Sequence, residues 1–256
     1  MPVITITTDF GTKDHYASAL RGALFRQLPG ASISEISHQV PAFDIPIGAY
    51  IVSQAYREYP AGTIHIVAIG SDKSGDYDHL ALQMNGHFFV GCNNGIFSLI
   101  SDQTPDKIIQ LAAAGKEPST FFARDLYIPA AVKLATGIPL EKLGPAVNNI
   151  VRRTRHVSPP EENVLKGNVL YVDSFGNVIT DISGEEFDRV GQGRQFSIEL
   201  FKDSITELHR TYGDVTEGDK VAFFNSAGTL EIAIFGGNAS RLLNLRLHSI
   251  IRIVFT

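Results

Sequence analysis

The stretch "VITITTDFGTKDHYASALRGALFRQLPG", residues 3–30, decides the fold of the first half of the chain. Residues 3–8 are all β-branched, which is typical of a buried strand, and this run ends at Asp9. Apolar side chains then recur at every fourth residue and share one helical face. They are Tyr16, Leu20, Leu24 and Leu28, and the helix ends at Pro29 and Gly30. The stretch therefore predicts a strand followed by a helix.

The same alternation continues outward from this βα unit. Further strands are predicted at 31–37, 62–70, 80–84 and 87–91, and further helices at 46–58 and 127–136. Strands that alternate with helices favour an α/β domain in which helices flank a mainly parallel sheet.

The chain changes character after a polar, proline-containing segment at 152–163. Helical periodicity fades there, and short β-rich runs separated by turn residues take over. They lie at 169–172, 177–182, 195–200, 220–224, 230–235 and 250–255. This spacing suits a small barrel or sandwich. We therefore predict an α/β domain at 1–158, a linker at 152–163 and a second, β-rich domain at 164–256.

Composition excludes several classes of function. The 256 residues carry a formal net charge of −5, so no basic face is expected to bind nucleic acid. The single cysteine, Cys92, excludes a disulfide within the chain and a Cys-rich zinc site. No segment reaches the run of about 18 apolar residues that a membrane helix needs. With no charged leader before the first strand, we expect a cytoplasmic protein.

Carboxylates follow the first predicted strand. In open α/β sheets, ligands bind beyond the carboxyl ends of the strands, and Asp9 occupies such a position. Asp14 follows at the start of the next helix, so two carboxylates are expected at one corner of the sheet. The alternative is that Asp9 or Thr12 only caps the helix.

An acidic loop lies between two predicted strands, in "IHIVAIGSDKSGDYDHLAL" at 64–82. Four of its residues fall at positions 1, 3, 5 and 7 of a calcium loop; they are Asp72, Ser74, Asp76 and Asp78. Tyr77 and Gln83 stand where such a loop needs a glycine and a bidentate glutamate. A solvated acidic turn is favoured over a calcium site, and no metal site is predicted.

Six stretches, taken together and in order, resemble the family of S-adenosyl-L-methionine (SAM) hydroxide adenosyltransferases, which are relatives of the SAM-dependent fluorinase and chlorinase. They are "TTDFGTKDHY" (7–16), "ISHQVPAFDIPIGAY" (36–50), "CNNGIFS" (92–98), "TFFARDLYIPAA" (120–131), "YVDSFGNVITDI" (171–182) and "NSAGTLEIAIFGGNAS" (225–240). The resemblance implies an N-terminal α/β domain, a C-terminal β-barrel and a homotrimer with sites between subunits. It also implies displacement of methionine from the ribose C5′ of SAM by water or halide, with no cofactor beyond SAM.

The resemblance also implies roles for individual residues. Asp9 would hold the ribose 2′ and 3′ hydroxyls with both carboxylate oxygens, and Phe121 would close the ribose side. The methionine end would be bound by Asp14, Asp173 and Ser226. The adenine would be contacted by Phe175, Asn177, Asn238 and Ala239. Asn94 and Glu231 complete the set of candidate ligand-binding residues.

One part of the family pattern is missing. The resemblance implies an Asp-Arg-His triad that orients or activates water, but its positions are occupied by Gly70, Tyr77 and Phe122. The remaining candidates for a catalytic base are Asp72, Asp76 and His79. Three interpretations stay open: a divergent SAM-cleaving enzyme, a catalytically silent protein that binds SAM or adenosine, and a calcium-loop protein.

Overall fold

The computed structural model describes residues 2–71, 77–112, 119–153, 163–200 and 203–256. The chain divides into two compact units, Met1–Thr154 and Arg155–Thr256. Most of the predicted linker, residues 154–162, lies outside the described residues. No helix in the described ranges combines the length and the apolar character that a membrane crossing needs.

The first unit contains a six-stranded sheet in the order β2-β1-β3-β5-β4-β6. Its strands are β1 (Val3–Thr8), β2 (Ser32–Ser37), β3 (Ile64–Ala68), β4 (His79–Met84), β5 (His87–Cys92) and β6 (Lys107–Gln110). Strand β1 is parallel to β2 and β3, and β3 is parallel to β5, whereas β4 is antiparallel to β5 and β6. The predicted α/β class with parallel pairing is confirmed.

In the described part of this unit, the α-helices are α1 (Tyr16–Gln27), α2 (Ile45–Ala55), α3 (Ile96–Ile100) and α4 (Ile128–Ala135). A π-helical turn, Ala123–Tyr127, leads directly into α4. Helix α1 begins at Tyr16, the first residue of the predicted apolar face; the residues before it form bends, and no side chain caps the helix. Helix α2 begins at a capped end, where Asp44 Oδ1 accepts a hydrogen bond from the Ile47 N–H.

The core of the first unit forms between β1 and the helices that cover it. Ile4 and Ile6 of β1 are fully buried and belong to one apolar cluster with Leu20 and Leu24 of α1. Tyr16, which begins the same predicted helical face, is 43% exposed. The apolar period of α1 therefore faces the sheet as predicted, except at its first turn.

The second unit contains a seven-stranded antiparallel sheet in the order β10-β9-β13-β7-β8-β12-β11. Its strands are β7 (Val164–Val172), β8 (Val178–Ser183), β9 (Phe196–Glu199), β10 (Ser204–Ile205), β11 (Lys220–Phe224), β12 (Thr229–Ile234) and β13 (Ile250–Phe255), with short helices α5 (Gly184–Gly191) and α6 (Ala239–Leu242). The two edge strands approach each other, because Lys220 pairs with Asp203 and the His209 N–H donates to the Ala222 carbonyl at 2.8 Å. The sheet is therefore barrel-like and nearly closed.

Close packing between neighbouring strands of the first unit gives a stability prediction. A Cβ at Gly91 of β5 would lie 2.5 Å from the Val67 carbonyl oxygen of β3 and 3.2 Å from Phe97 Cζ. We expect Gly91→Ala to lower the free energy of unfolding by about 1–3 kcal/mol, because the backbone atom cannot move aside cheaply. Urea unfolding followed by circular dichroism measures the change.

The matched control is Gly22→Ala in α1. A Cβ at Gly22 would meet no atom within 4 Å, so this variant is expected to gain about 0.5–1 kcal/mol from the higher helix propensity of alanine. Equal stability of the two variants would contradict the packing argument.

Candidate active site

Asp9 is held by backbone groups at the tip of β1. Its Oδ2 accepts hydrogen bonds from the Phe43 N–H at 2.9 Å and from the Gly70 N–H at 3.0 Å. Among the described residues, none donates to Oδ1, and Asp9 is partly exposed. Asp9 and Thr12 do not cap α1; Thr12 Oγ1 accepts from the Gln39 side chain instead. One carboxylate oxygen is thus fixed by the protein, and the other is open to a ligand.

Both residues that donate to Asp9 have left-handed backbone. The φ angle is 64° at Phe43 and 57° at Gly70. Glycine adopts this conformation readily, but a phenylalanine does so at a cost of about 1–3 kcal/mol. The Phe43 side chain is also 59% exposed. Strain of this kind persists where surrounding contacts enforce it, and it is often found at ligand sites.

An aromatic cluster lies next to Asp9. The ring of Phe10 is 5.9 Å from that of Tyr16 and 5.7 Å from that of Phe121, and the last two rings are 5.5 Å apart. Arg124 covers Phe121 at 5.1 Å and forms an ion pair with Asp125. Phe121 therefore contacts Phe10, the residue that follows Asp9. Asp14 is exposed in the bend before α1.

Asn94 links two strand ends. Its side chain is 1% exposed; Nδ2 donates to the Ile69 carbonyl at 2.8 Å, and Oδ1 accepts from the Ile96 N–H at 3.3 Å. Its backbone carbonyl accepts a hydrogen bond from Arg153 Nε at 2.8 Å. Both polar ends of the Asn94 side chain are thus bound to backbone, so this residue holds the segments that follow β3 and β5 together.

The three positions that the resemblance assigns to a triad differ in burial and in their hydrogen bonds. Gly70 donates to Asp9, Tyr77 is partly exposed, and Phe122 is buried. The ring of His79 stacks on Phe122 at 4.2 Å, and its Nδ1 lies 2.7 Å from Tyr127 Oη. Burial lowers the pKa of His79, although the neighbouring Asp78 acts in the opposite direction. The candidates Asp72 and Asp76 lie outside the described residues.

In the second unit, Asp173 organises a tight loop between β7 and β8. Its Oδ1 accepts from the backbone N–H groups of Phe175 at 2.9 Å and Asn177 at 2.8 Å, and its Oδ2 accepts from Asn177 Nδ2 at 3.0 Å. The loop leaves the Phe175 side chain 79% exposed. An aromatic ring so presented offers a flat surface on which a planar base can stack.

Asn238 packs directly on this loop. A Cβ at Gly176 would lie 2.1 Å from Asn238 Nδ2, so only glycine permits this approach. Asn238 Oδ1 also caps α6 by accepting from the Arg241 N–H at 2.8 Å. Ala239 is buried beside it, whereas Ser226 is exposed in the turn between β11 and β12. The structure therefore brings Asp173, Asn177 and Asn238 together.

Tyr212 joins this group, although no motif or periodic pattern in the sequence points to it. Its Oη donates to Glu231 Oε1 at 2.5 Å and lies 3.4 Å from Asn177 Nδ2. Glu231 is 5% exposed, and its Oε2 accepts from Asn225 Nδ2 at 3.1 Å. Burial, and then the bond to Glu231, raise the pKa of Tyr212 far above its usual value. Tyr212 therefore remains a hydrogen-bond donor at any physiological pH.

In both units, then, carboxylates fix loops at which aromatic rings and polar atoms are left accessible. Residues 4–144 match the N-terminal domain of SAM hydroxide adenosyltransferases, and residues 167–252 match the C-terminal domain. The chain belongs to the SAM hydroxide adenosyltransferase family. The resemblance read from six short stretches of sequence is confirmed.

Named relatives agree with this membership of the SAM hydroxide adenosyltransferase family. The chain is 30% identical to an (R)-S-adenosyl-L-methionine hydrolase of Salinispora tropica, over 95% of this chain and 94% of the relative. It is 24% identical to a fluorinase of an Actinoplanes species, over 91% of this chain and 90% of the relative. A crystal structure of an uncharacterised conserved protein from Thermotoga maritima is similar with a TM-score of 0.89 and 26% identity, covering 98% of this chain and all of that one.

The Tyr212–Glu231 pair gives a second stability prediction. Tyr212→Phe removes the donor from a buried carboxylate oxygen, and we expect the free energy of unfolding to fall by about 1–3 kcal/mol. Tyr16→Phe is the control, because no hydrogen bond of Tyr16 Oη is seen within the described ranges; its change is expected to stay within about 0.5 kcal/mol. Urea unfolding that finds both variants as stable as the parent protein would contradict this account of Glu231.

Proposed function

We propose that this protein binds SAM and cleaves it at the ribose C5′, with water as the nucleophile and with methionine and adenosine as products. Membership of the family and similarity to a SAM hydrolase support the reaction type. The observation that carries the proposal is the Asp9 corner, where a carboxylate is fixed on one oxygen and open on the other. Such a group suits a sugar diol, which brings two hydroxyl donors to one acceptor.

The hydrogen bonds of Asp9 refine how the ribose would be held. A carboxylate oxygen has about two acceptor positions. Both positions of Oδ2 are taken by the N–H groups of Phe43 and Gly70. We therefore expect the ribose hydroxyls to donate mainly to Oδ1, instead of one hydroxyl to each oxygen. The two N–H donors also keep the Asp9 carboxylate oriented before the ligand arrives.

The reaction depends more on the alignment of the water with SAM than on acid or base catalysis by side chains. The sulfonium of SAM is an activated leaving group, so the protein must place a water in line with the C5′–S bond and exclude competing water. The aromatic rings of Phe10, Tyr16 and Phe121 supply an apolar wall beside Asp9. Aromatic faces also attract a sulfonium cation, by about 0.5–2 kcal/mol.

The second unit offers groups suited to the adenine. The exposed ring of Phe175 provides a stacking surface, Asn177 lies on the same loop, and Asn238 packs against that loop. Asn177 Nδ2 is bound to Asp173, and no donor to Asn177 Oδ1 is found among the described residues. This oxygen is therefore available to accept a hydrogen bond from the adenine amino group. We assign Asp173 the further role of holding the loop in this conformation.

Two wider properties are also proposed from the resemblance and the composition. We propose that the protein assembles as a homotrimer and resides in the cytoplasm. Light scattering coupled to size-exclusion chromatography measures the first, and a mass other than three chains would overturn it.

Direct turnover tests the proposed reaction. Purified protein is incubated with SAM in water enriched in ¹⁸O, with and without halide, and the products are analysed by mass spectrometry. We expect methionine and adenosine in equal amounts, with ¹⁸O in the adenosine and none in the methionine, because water attacks C5′. Formation of 5′-halo-adenosine at the expense of adenosine would instead identify a halide as the nucleophile.

Calorimetric titration with SAM completes this test. Binding without products would favour a silent SAM-binding protein. Neither binding nor products would discard both interpretations, and a calcium-dependent shift in melting temperature would then test the acidic loop at 72–78.

Substitution of Asp9 tests whether its carboxylate binds the ligand. Asp9→Asn keeps the shape but removes the charge of the acceptor, so we expect SAM affinity to fall roughly 10- to 150-fold, the equivalent of about 1.5–3 kcal/mol for a charge-assisted bond. Asp102→Asn, an exposed carboxylate in the turn before β6, controls for the lost charge. Equal affinities for the two variants, measured by calorimetry, would remove Asp9 from the site.

A further inference from the structure

His79 lies at the same sheet edge as Asp9. It is the first residue of β4, and its partner in the antiparallel pair is Cys92, the last residue of β5. Strand β5 runs parallel to β3, and β3 runs parallel to β1. The beginning of β4 therefore meets the carboxyl ends of these three strands, where ligands bind in α/β sheets.

Two aromatic residues fix the orientation of the His79 ring. The ring stacks on Phe122 at 4.2 Å with an interplanar angle of 30°, and Nδ1 is 2.7 Å from the hydroxyl of the fully buried Tyr127. Phe121, adjacent to Phe122, contacts Phe10, which follows Asp9. His79 and the Asp9 corner therefore contact two adjacent residues of the chain.

The other histidines on this sheet are committed elsewhere. His65 has one ring nitrogen on Thr5 and the other on His87, and all three side chains are buried. His38 binds Thr8 through Nδ1, and its Nε2 is enclosed beside Glu35.

His79 differs from these residues. It is only partly buried, and within residues 77–112 and 119–153 nothing hydrogen bonds to its Nε2. In the tautomer with the proton on Nδ1, that N–H donates to Tyr127 Oη, and Nε2 carries a free lone pair.

We propose that His79 is the general base for the attacking water. This role rests on the proposed function, because hydrolysis of SAM releases a proton that the water must lose. The water oxygen forms a bond to C5′ while the C5′–S bond breaks and its electron pair stays on sulfur, giving neutral methionine. The proton of the water passes to Nε2 of His79 and then to solvent, so that atoms and charge balance.

The surroundings of His79 keep its imidazole neutral. Burial lowers the pKa of His79, and the Asp78 carboxylate, which acts against this, is itself exposed and accepts a bond from Gln110 Nε2 at 2.7 Å. Cys92 pairs with His79 in the sheet, and Tyr127 contacts its ring. The remaining titratable groups on the elements packed against β4 have other partners: His87 on His65, Lys107 on Glu141 and Arg124 on Asp125. The base form of His79 therefore predominates at neutral pH.

The deciding variant is His79→Gln, which keeps a polar side chain but cannot take up a proton. We expect SAM affinity by calorimetry to stay within about threefold, and the turnover number to fall by about 10²- to 10⁴-fold. His248→Asn removes an exposed imidazole in the second unit, where asparagine tolerates the φ of 65°, and is expected to keep the parent rate.

The pH profile separates a base from a structural residue. In the parent protein, kcat/KM is expected to fall as pH drops through the pKa of His79, below the usual histidine range, because protonated imidazole cannot accept a proton. His79→Gln should lose this acidic limb.

Tyr127→Phe tests the positioning of His79 if His79→Gln fails to fold. It keeps the ring and removes the hydroxyl that accepts from Nδ1–H, so turnover should fall about three- to tenfold with KM unchanged. The limb should also move to lower pH, because the imidazolium loses a hydrogen bond.

The outcomes distinguish this role from the function on which it rests. Parent protein that yields no adenosine from SAM overturns both. Parent protein that cleaves SAM, with a His79→Gln variant that keeps its rate and acidic limb, leaves the function standing and removes His79 as the base. If His79→Gln does not fold, a Tyr127→Phe variant with the turnover number and acidic limb of the parent protein would likewise remove His79 as the base.

Discussion

The hydrogen bonds to Asp9 Oδ2 are the constraint on which the candidate site depends. They join three separate pieces of chain at one oxygen atom: the end of β1, the loop before α2 and the second residue after β3. Charge-assisted bonds of this kind are stronger than neutral ones, which offsets the left-handed backbone of Phe43. Because one oxygen is held by backbone, the direction of the other is set by the fold and not by the ligand.

The second unit reaches a similar result by local means. Asp173 accepts three hydrogen bonds, all from its own loop, and the loop in turn presents the ring of Phe175. The Asp9 corner requires the whole sheet to be assembled, whereas the Asp173 loop requires little more than the glycine at 176 and the packing of Asn238. We expect the Asp9 corner and the Asp173 loop to differ in how closely their conformations depend on global stability.

Sequence could predict features that repeat along the chain and could not predict features that join distant residues. The run of β-branched residues predicted β1, and Asp9 followed as the residue at its end. Tyr212 reaches Glu231 across the fold from a segment with no periodic pattern, so no local signal identified it. Helix α5 was missed although Ser183 and Glu186 form a capping box, because its eight residues bury only Phe187 and Gly191. The stacking of His79 on Phe122 joins β4 to a π-helical turn, which strand periodicity cannot reveal.

The general base is the residue of this candidate site whose position in the sequence the fold constrains least. A diol-binding carboxylate must be aimed by backbone donors from two loops, so its place in the fold is tied to the sheet. A general base needs only a lone pair near the water and a neighbour that fixes its tautomer, and any strand that begins or ends at this edge can supply one. Phe122 has no lone pair to offer, but it provides the flat surface against which the His79 imidazole is held. Loss of a base at one position of the chain is therefore compatible with retention of the reaction, provided that another strand brings an oriented imidazole to the same edge.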